Sequence, residues 1–261
     1  TAGFGVLINH AISQGANNLI LCVGGSASVD GGIGALREMG LTIVNNSPNR
    51  NYITDIKGIN TELLQQKFKE IHITILCDVD NPICGPEGAA AVFAPQKGAS
   101  PEQIIMLDNQ LCLWSDLLKQ NTGKDITQLK HGGAAGGITA AMYALLNAQL
   151  ISGSEYCLTL SRFHDNLLQA GIVITGEGKI DIQSFYGKIP GTVATLCLQQ
   201  NVPVYAVVGL AEKQVLTRFD KVFIMSQYTR SIQDSIKNAP HYLKIISQAI
   251  VDTLYLSAYS D

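Results

Sequence analysis

Short apolar runs, each closed by a glycine-rich or acidic turn, restrict the fold of this chain more than any other feature. Residues 172–175, 204–208 and 222–225 are three such runs, and a helical pattern over 187–200 joins the first two. Unbroken apolar strands suit a sheet covered on both faces, and a strand–helix–strand rhythm makes neighbouring strands parallel. Residues 19–23 (LILCV) and 71–76 read as further strands. Leu7, Ile8, Ala11 and Ile12 form a helical stripe that ends near Gly15, and a helix is expected over 30–39. Ser100 is a suitable N-cap with Pro101 at N1, so a long helix should run over 101–119. The pattern at 138–150 is apolar on nearly every side and must be buried. Residues 231–259 read as helical. The fold class is therefore α/β, and the domain boundary is placed between 160 and 170, giving domains at 1–165 and 166–261.

Composition removes several classes of function. Of 261 residues, 46% are hydrophobic and 15% charged, which fits a compact globular protein. The net charge of −3, with scattered Lys and Arg, argues against a nucleic-acid surface. No apolar stretch reaches the roughly 20 residues of a membrane span. No signal peptide is visible, so the cytoplasm is the expected location. The six cysteines show no CxxC pair or zinc spacing. Cys22, Cys77 and Cys157 lie in apolar runs and read as small core residues in a reducing compartment.

Four segments carry candidate chemistry. After the apolar run that ends at Ile174, Thr175-Gly176-Glu177-Gly178 reads as a glycine-rich turn, followed by Lys179, Asp181 and Lys188. Glycines let a backbone approach phosphate oxygens, lysines neutralise them, and acids hold Mg²⁺ or take a proton. The segment Gly24-Gly25-Ser26-Ala27-Ser28-Val29-Asp30 lies between a strand and a helix, where free N–H groups and the helix dipole attract anions. Asp30 could cap that helix or touch a metal. Asp78 stands at the carboxyl end of a strand, and Lys97 ends a loop that could close over a phosphate. The run from His131 through Gly133 and Gly136 to Gly137 could form a backbone nest for an anion. Each segment has a plainer alternative: tight strand–helix packing at Gly24 and Gly133, an Asx turn at Asp78, solvated charges near Glu177. His131 reads as a loop histidine, and Glu212 and Lys213 as weak strand-end candidates.

Taken in order, these segments resemble the glycerate kinase type 1 family. Residues 24–32 are similar to its GGSATxDGG motif, 77–99 to CDVxNPLxGxxGAxxxFGPQKGA, 132–145 to GAGAAGGxGAAL, and 173–190 to VITGEGRIDxQTxxGKxP. The resemblance implies ATP-dependent phosphorylation of D-glycerate to a phosphoglycerate, with Mg²⁺, in two α/β domains around a cleft. One of these is Rossmann-like and discontinuous. It implies Asp78 and Asp181 as metal ligand or general base, and Lys188 and Lys179 as partners of phosphate or substrate carboxylate. Gly24, Gly25, Ser26, Asp30, Lys97, Gly133, Gly136 and Glu177 would then bind substrate or nucleotide. A small-molecule partner is implied, with no nucleic acid, no membrane and a homodimer left open.

The chain also departs from that pattern. It begins with Thr1, and family members carry an earlier DSxK-like segment and an ADGGEGT stretch. The reading is therefore of a member lacking the N-terminal part of its Rossmann-like domain, expected to be inactive as it stands. The region 45–60 lacks the family's GGGxL loop, Lys179 replaces an arginine, and Val6 replaces an acid. The alternative reading is a catalytically inactive, truncated binding or interaction protein on the same scaffold.

Overall fold

The computed structural model describes residues 1–45 and 56–258. The shortened stretch noted between residues 45 and 60 falls largely outside them. The chain divides into two compact units, Thr1–Gly153 and Ser154–Asp261. The sequence alone places that boundary later, after 165.

The first unit is built on helix α1 (Ala2–Ser13), strand β1 (Asn18–Cys22), α2 (Ile33–Met39), β2 (Thr42–Asn45), β3 (Ile56–Asn60), α3 (Glu62–Phe68) and β4 (His72–Cys77). It continues through α4 (Ala89–Phe93), α5 (Pro101–Thr122), α6 (Ile138–Leu146) and β5 (Gln149–Ser152). Strands β1, β4 and β5 form a parallel sheet in that order, with Leu19 opposite Ile73 and Ile75 opposite Leu150. The pair β2–β3 is a separate antiparallel ribbon. The core gathers Leu36, Met39, Ile75, Leu111, Trp114 and Met142. Helix α5 starts on the capping box of Ser100 and Gln103. Helix α6 is buried along most of its length, as its composition demands, but it stops at Leu146 because Asn147 turns left-handed (φ 55°). The strand β5 that follows begins within the stretch 138–150, whose composition alone suggests helix.

The second unit contains α7 (Gly153–Leu160, whose first residue closes the first unit), α8 (Phe163–Leu167), β6 (Val173–Ile180), α9 (Ile189–Gln199), β7 (Val204–Ala211), β8 (Lys221–Ile224), α10 (Ile232–Lys237) and α11 (Ala239–Ala258). Strands β6, β7 and β8 are parallel and in sequence order. Ile180, Val193, Ala206 and Val208 pack on one side, and Tyr205, Met225, Ile246 and Ile250 form a second cluster. The parallel α/β fold is as expected from the apolar runs.

Two expectations are corrected here. The segment Thr175–Gly178 is not a turn: β6 continues through it to Ile180. Gly176 admits the neighbouring strand, since a Cβ on it would lie 2.7 Å from the Val207 carbonyl, and Gly209 on β7 in turn makes room for the Gly178 carbonyl. The cysteines also differ. Cys77 is buried, but Cys22 and Cys157 are exposed, and Cys84 and Cys112 form a disulfide. Cys22 is the last residue of its strand, where the apolar run emerges from the core, and Cys157 lies on the outer face of α7.

Candidate functional site

In the first unit the loops after β1 and β4 meet where open α/β sheets bind ligands, at the carboxyl ends of the strands. A cavity of about 200 Å³ opens there, and Gly24, Gly25, Ser26, Asp78, Lys97 and Ala135 are among its walls. Lys97 ends a short 3-10 turn, Pro95–Lys97, that closes on Gly98 in a left-handed conformation (φ 91°). Its Nζ donates to Ser26 Oγ (3.0 Å) and to the Ser28 carbonyl (2.8 Å). Burial pushes the Lys97 pKa below the usual lysine value, partly offset by the charge of Asp30. A cation held against neutral oxygens in a half-buried place is unstable alone and suited to an anionic ligand.

Asp78 is exposed at the mouth of β4. Gly153 lets its carboxylate lie close, for a Cβ there would stand 2.7 Å from Asp78 Oδ1. Burial first, and then the Asp78 charge, push the neighbouring Cys77 thiol to about 12, so that cysteine is no nucleophile.

Asp30 does not face this cavity. Its Oδ1 accepts from the Gly32 N–H (3.1 Å), and its Oδ2 accepts from the Gly34 N–H (3.3 Å) and the Thr1 hydroxyl (2.7 Å). It fastens the start of α2 to that of α1, which is the capping role weighed for it. Gly133 and Gly136 are likewise occupied with packing. The Gly133 N–H donates to the Asn81 carbonyl (2.8 Å), and the Gly136 carbonyl accepts from the Gly31 N–H (2.9 Å). The space beside Gly136 is filled by the Ser28 carbonyl, and its φ is +73°. This loop joins the other two, and Ala134 and Ala135 are what it presents to the cavity. His131 is a buried brace: its Nδ1 lies 2.7 Å from the Val79 carbonyl.

In the second unit the alternation of β6 puts Glu177 and Lys179 on one face. Asp181 then caps a 3-10 turn, Ile182–Phe185, with Oδ1 accepting from the Gln183 N–H (2.9 Å). Lys188 lies 3.4 Å from Glu177, and Lys179 bridges Asp181 (3.1 Å) and Glu212 (3.0 Å). Lys179 lowers the Asp181 pKa first among its causes, while Glu212 and then Asp181 raise that of Lys179. Ser184, fully buried, completes the cluster: its hydroxyl donates to Glu177 Oε2 (2.7 Å) and accepts from the Asp181 N–H (3.2 Å). The structure thus brings Glu177, Lys179, Asp181 and Lys188 together with Glu212, one of the weak strand-end candidates, and adds Ser184. The signal for Ser184 was an Asp three residues before a Ser, the spacing of a capping box.

Among the described residues no group of three or more His, Cys, Asp and Glu side chains could hold a metal. Mg²⁺ bound to a nucleotide needs only one or two carboxylates, with phosphates and water supplying the rest. The open Asp78 fits that demand better than Asp181, whose two oxygens already face Gln183 and Lys179.

Fold and candidate site together define an α/β protein with glycines, lysines and carboxylates gathered toward the carboxyl ends of parallel strands. Comparison with known proteins makes this specific. The chain belongs to the glycerate kinase family, which it matches over residues 1–255. It is 34% identical to a glycerate kinase of Haemophilus influenzae over 97% of this chain and 69% of that protein. It is 38% identical to one from Halalkalibacterium halodurans over 80% of this chain and 56% of the relative, and 37% identical to the glycerate 2-kinase of Escherichia coli over 79% and 56%. A crystal structure described as glycerate kinase 2 from Salmonella typhimurium superposes with a TM-score of 0.78 at 35% identity, covering 98% of this chain and 69% of that one. In these comparisons the chain spans between 56% and 69% of its relatives' length. The family match runs through nearly all of this chain, and the expectation that it is inactive as it stands finds no support in that match. No helix among the described residues is long and apolar enough to cross a membrane.

Proposed function

We propose that the protein phosphorylates D-glycerate with ATP and Mg²⁺ in the cytoplasm. The observation that carries this reading is the cavity where Lys97, Ser26, the Gly24-Gly25 backbone and Asp78 meet. Its lysine suits the terminal phosphates and its backbone the close approach of their oxygens. Asp78 would hold Mg²⁺, which when bound neutralises phosphate charge.

The charged cluster around Asp181 has the groups that a hydroxy acid calls for, a carboxylate base and two lysines. Asp181, kept ionised by Lys179, receives the proton of the attacking hydroxyl. That oxygen bonds to the γ-phosphorus as the bond from phosphorus to the ADP oxygen breaks. Lys188, held on Glu177, neutralises the glycerate carboxylate. Positioning and charge stabilisation carry most of such a reaction, so the base needs no raised pKa. The test is ADP release by the full-length protein in a coupled assay. Release that requires D-glycerate and Mg²⁺ supports the reading, and its absence under those conditions refutes it.

A further inference from the structure

A second cavity, of about 310 Å³, also borders the 24–28 loop. Its walls include Phe4, Cys22, Val23, Ala27, Ala135 and Ile138, and no charged side chain among the described residues lines it. It shares Val23, Gly24, Ser26 and Ala135 with the Lys97 cavity. The 24–28 loop therefore borders both this chamber and the one holding a lysine and a carboxylate.

We propose that this chamber takes the nucleobase of the nucleotide whose phosphates enter the Lys97 cavity. This deepens the kinase reading and rests on it. The walls also take in Thr1, Ala2 and Gly3 at the start of α1, but no lysine, arginine or histidine side chain, and a flat heteroaromatic ring gains from apolar contact with Phe4, Val23 and Ile138. Its volume lies at the lower end of the roughly 300–1,000 Å³ usual for small-molecule pockets. Ser26 and Ser28 also line it, offering hydroxyl groups to the ring's polar edge. The glycines at 24 and 25 let the chain pass closely between base and phosphates.

Cys22 provides the test, being an exposed thiol in this wall, while exposed Cys157 serves as a control in the other unit. The full-length protein is alkylated with iodoacetamide and the modification of each cysteine followed by mass spectrometry. ADP at about ten times its Kd should slow Cys22 alkylation about tenfold and leave Cys157 unchanged. Inorganic tripolyphosphate should displace ADP yet leave Cys22 reactive. An Ala27→Trp substitution, at an exposed loop position, should weaken ADP about tenfold with tripolyphosphate affinity unchanged. Should ADP raise the melting temperature while Cys22 stays reactive, the base lies elsewhere and this inference alone falls. Equal protection by tripolyphosphate, or full ADP affinity in Ala27→Trp, also overturns it. Failure of ADP and ATP to bind at all removes the kinase reading with it.

Discussion

Lys97 carries its ammonium into a half-buried position where its hydrogen-bond partners are two neutral oxygens, Ser26 Oγ and the Ser28 carbonyl. Its pKa is depressed, so at neutral pH the charged form is held against the preference of its surroundings, and the lysine does not serve stability. Replacing it with Met should leave the thermal midpoint unchanged or higher while lowering kcat/KM by about 10²–10³. A melting curve and a coupled assay on the same sample check both halves. Asp181 behaves in the opposite sense. Its folded pKa is lowered below the ordinary 3.8, so its contribution is present above that value and is lost as pH falls through the folded pKa. Acid titration of the wild type should show that loss below about pH 4, and Asp181→Asn should be less stable at neutral pH and flatter in acid. Ser184→Ala would leave the Glu177 carboxylate and the Asp181 N–H without their shared buried partner. It should cost about 1–3 kcal/mol in denaturant unfolding.

At the scale of elements, the site depends on loops fastened to one another. Gly136 has a left-handed φ of +73°, its carbonyl takes the Gly31 N–H, and the Ser28 carbonyl fills the space where a side chain would go. Gly136→Ala should therefore cost at least about 2 kcal/mol and weaken ATP binding, measured by chemical denaturation and by calorimetric titration. The Cys84–Cys112 disulfide ties the loop after β4 to α5 across 28 residues. Reductant should lower stability by about 2–4 kcal/mol, and a Cys112→Ser variant should not respond to it. These fastenings explain what sequence could and could not reveal. The parallel strands were legible because burial on both faces demands continuous apolar runs. Strand β5 was not, since four residues of mixed character follow closely on an apolar helix, separated from it only by the left-handed Asn147 and by Ala148. The glycines at 133 and 136 looked like an anion nest because a nest and a close-packed corner ask for the same residues. Only the carbonyls facing them distinguish the two.

At the scale of the whole molecule, each unit has its own parallel sheet and core, and each gathers its charged groups within its own loops. The residues that carry charge were legible in sequence because strand ends are where such folds present them. Their partners were not, because Ser26 and Lys97, or Lys179 and Glu212, meet only after the chain has folded across many residues. The most direct test of the account is glycerate-dependent ADP release by the full-length protein, compared between wild type and Lys97→Met. Release that needs both D-glycerate and Mg²⁺, and that falls about a hundredfold or more in the variant, is the expected result. ADP release indifferent to glycerate, or undiminished without Lys97, would contradict it.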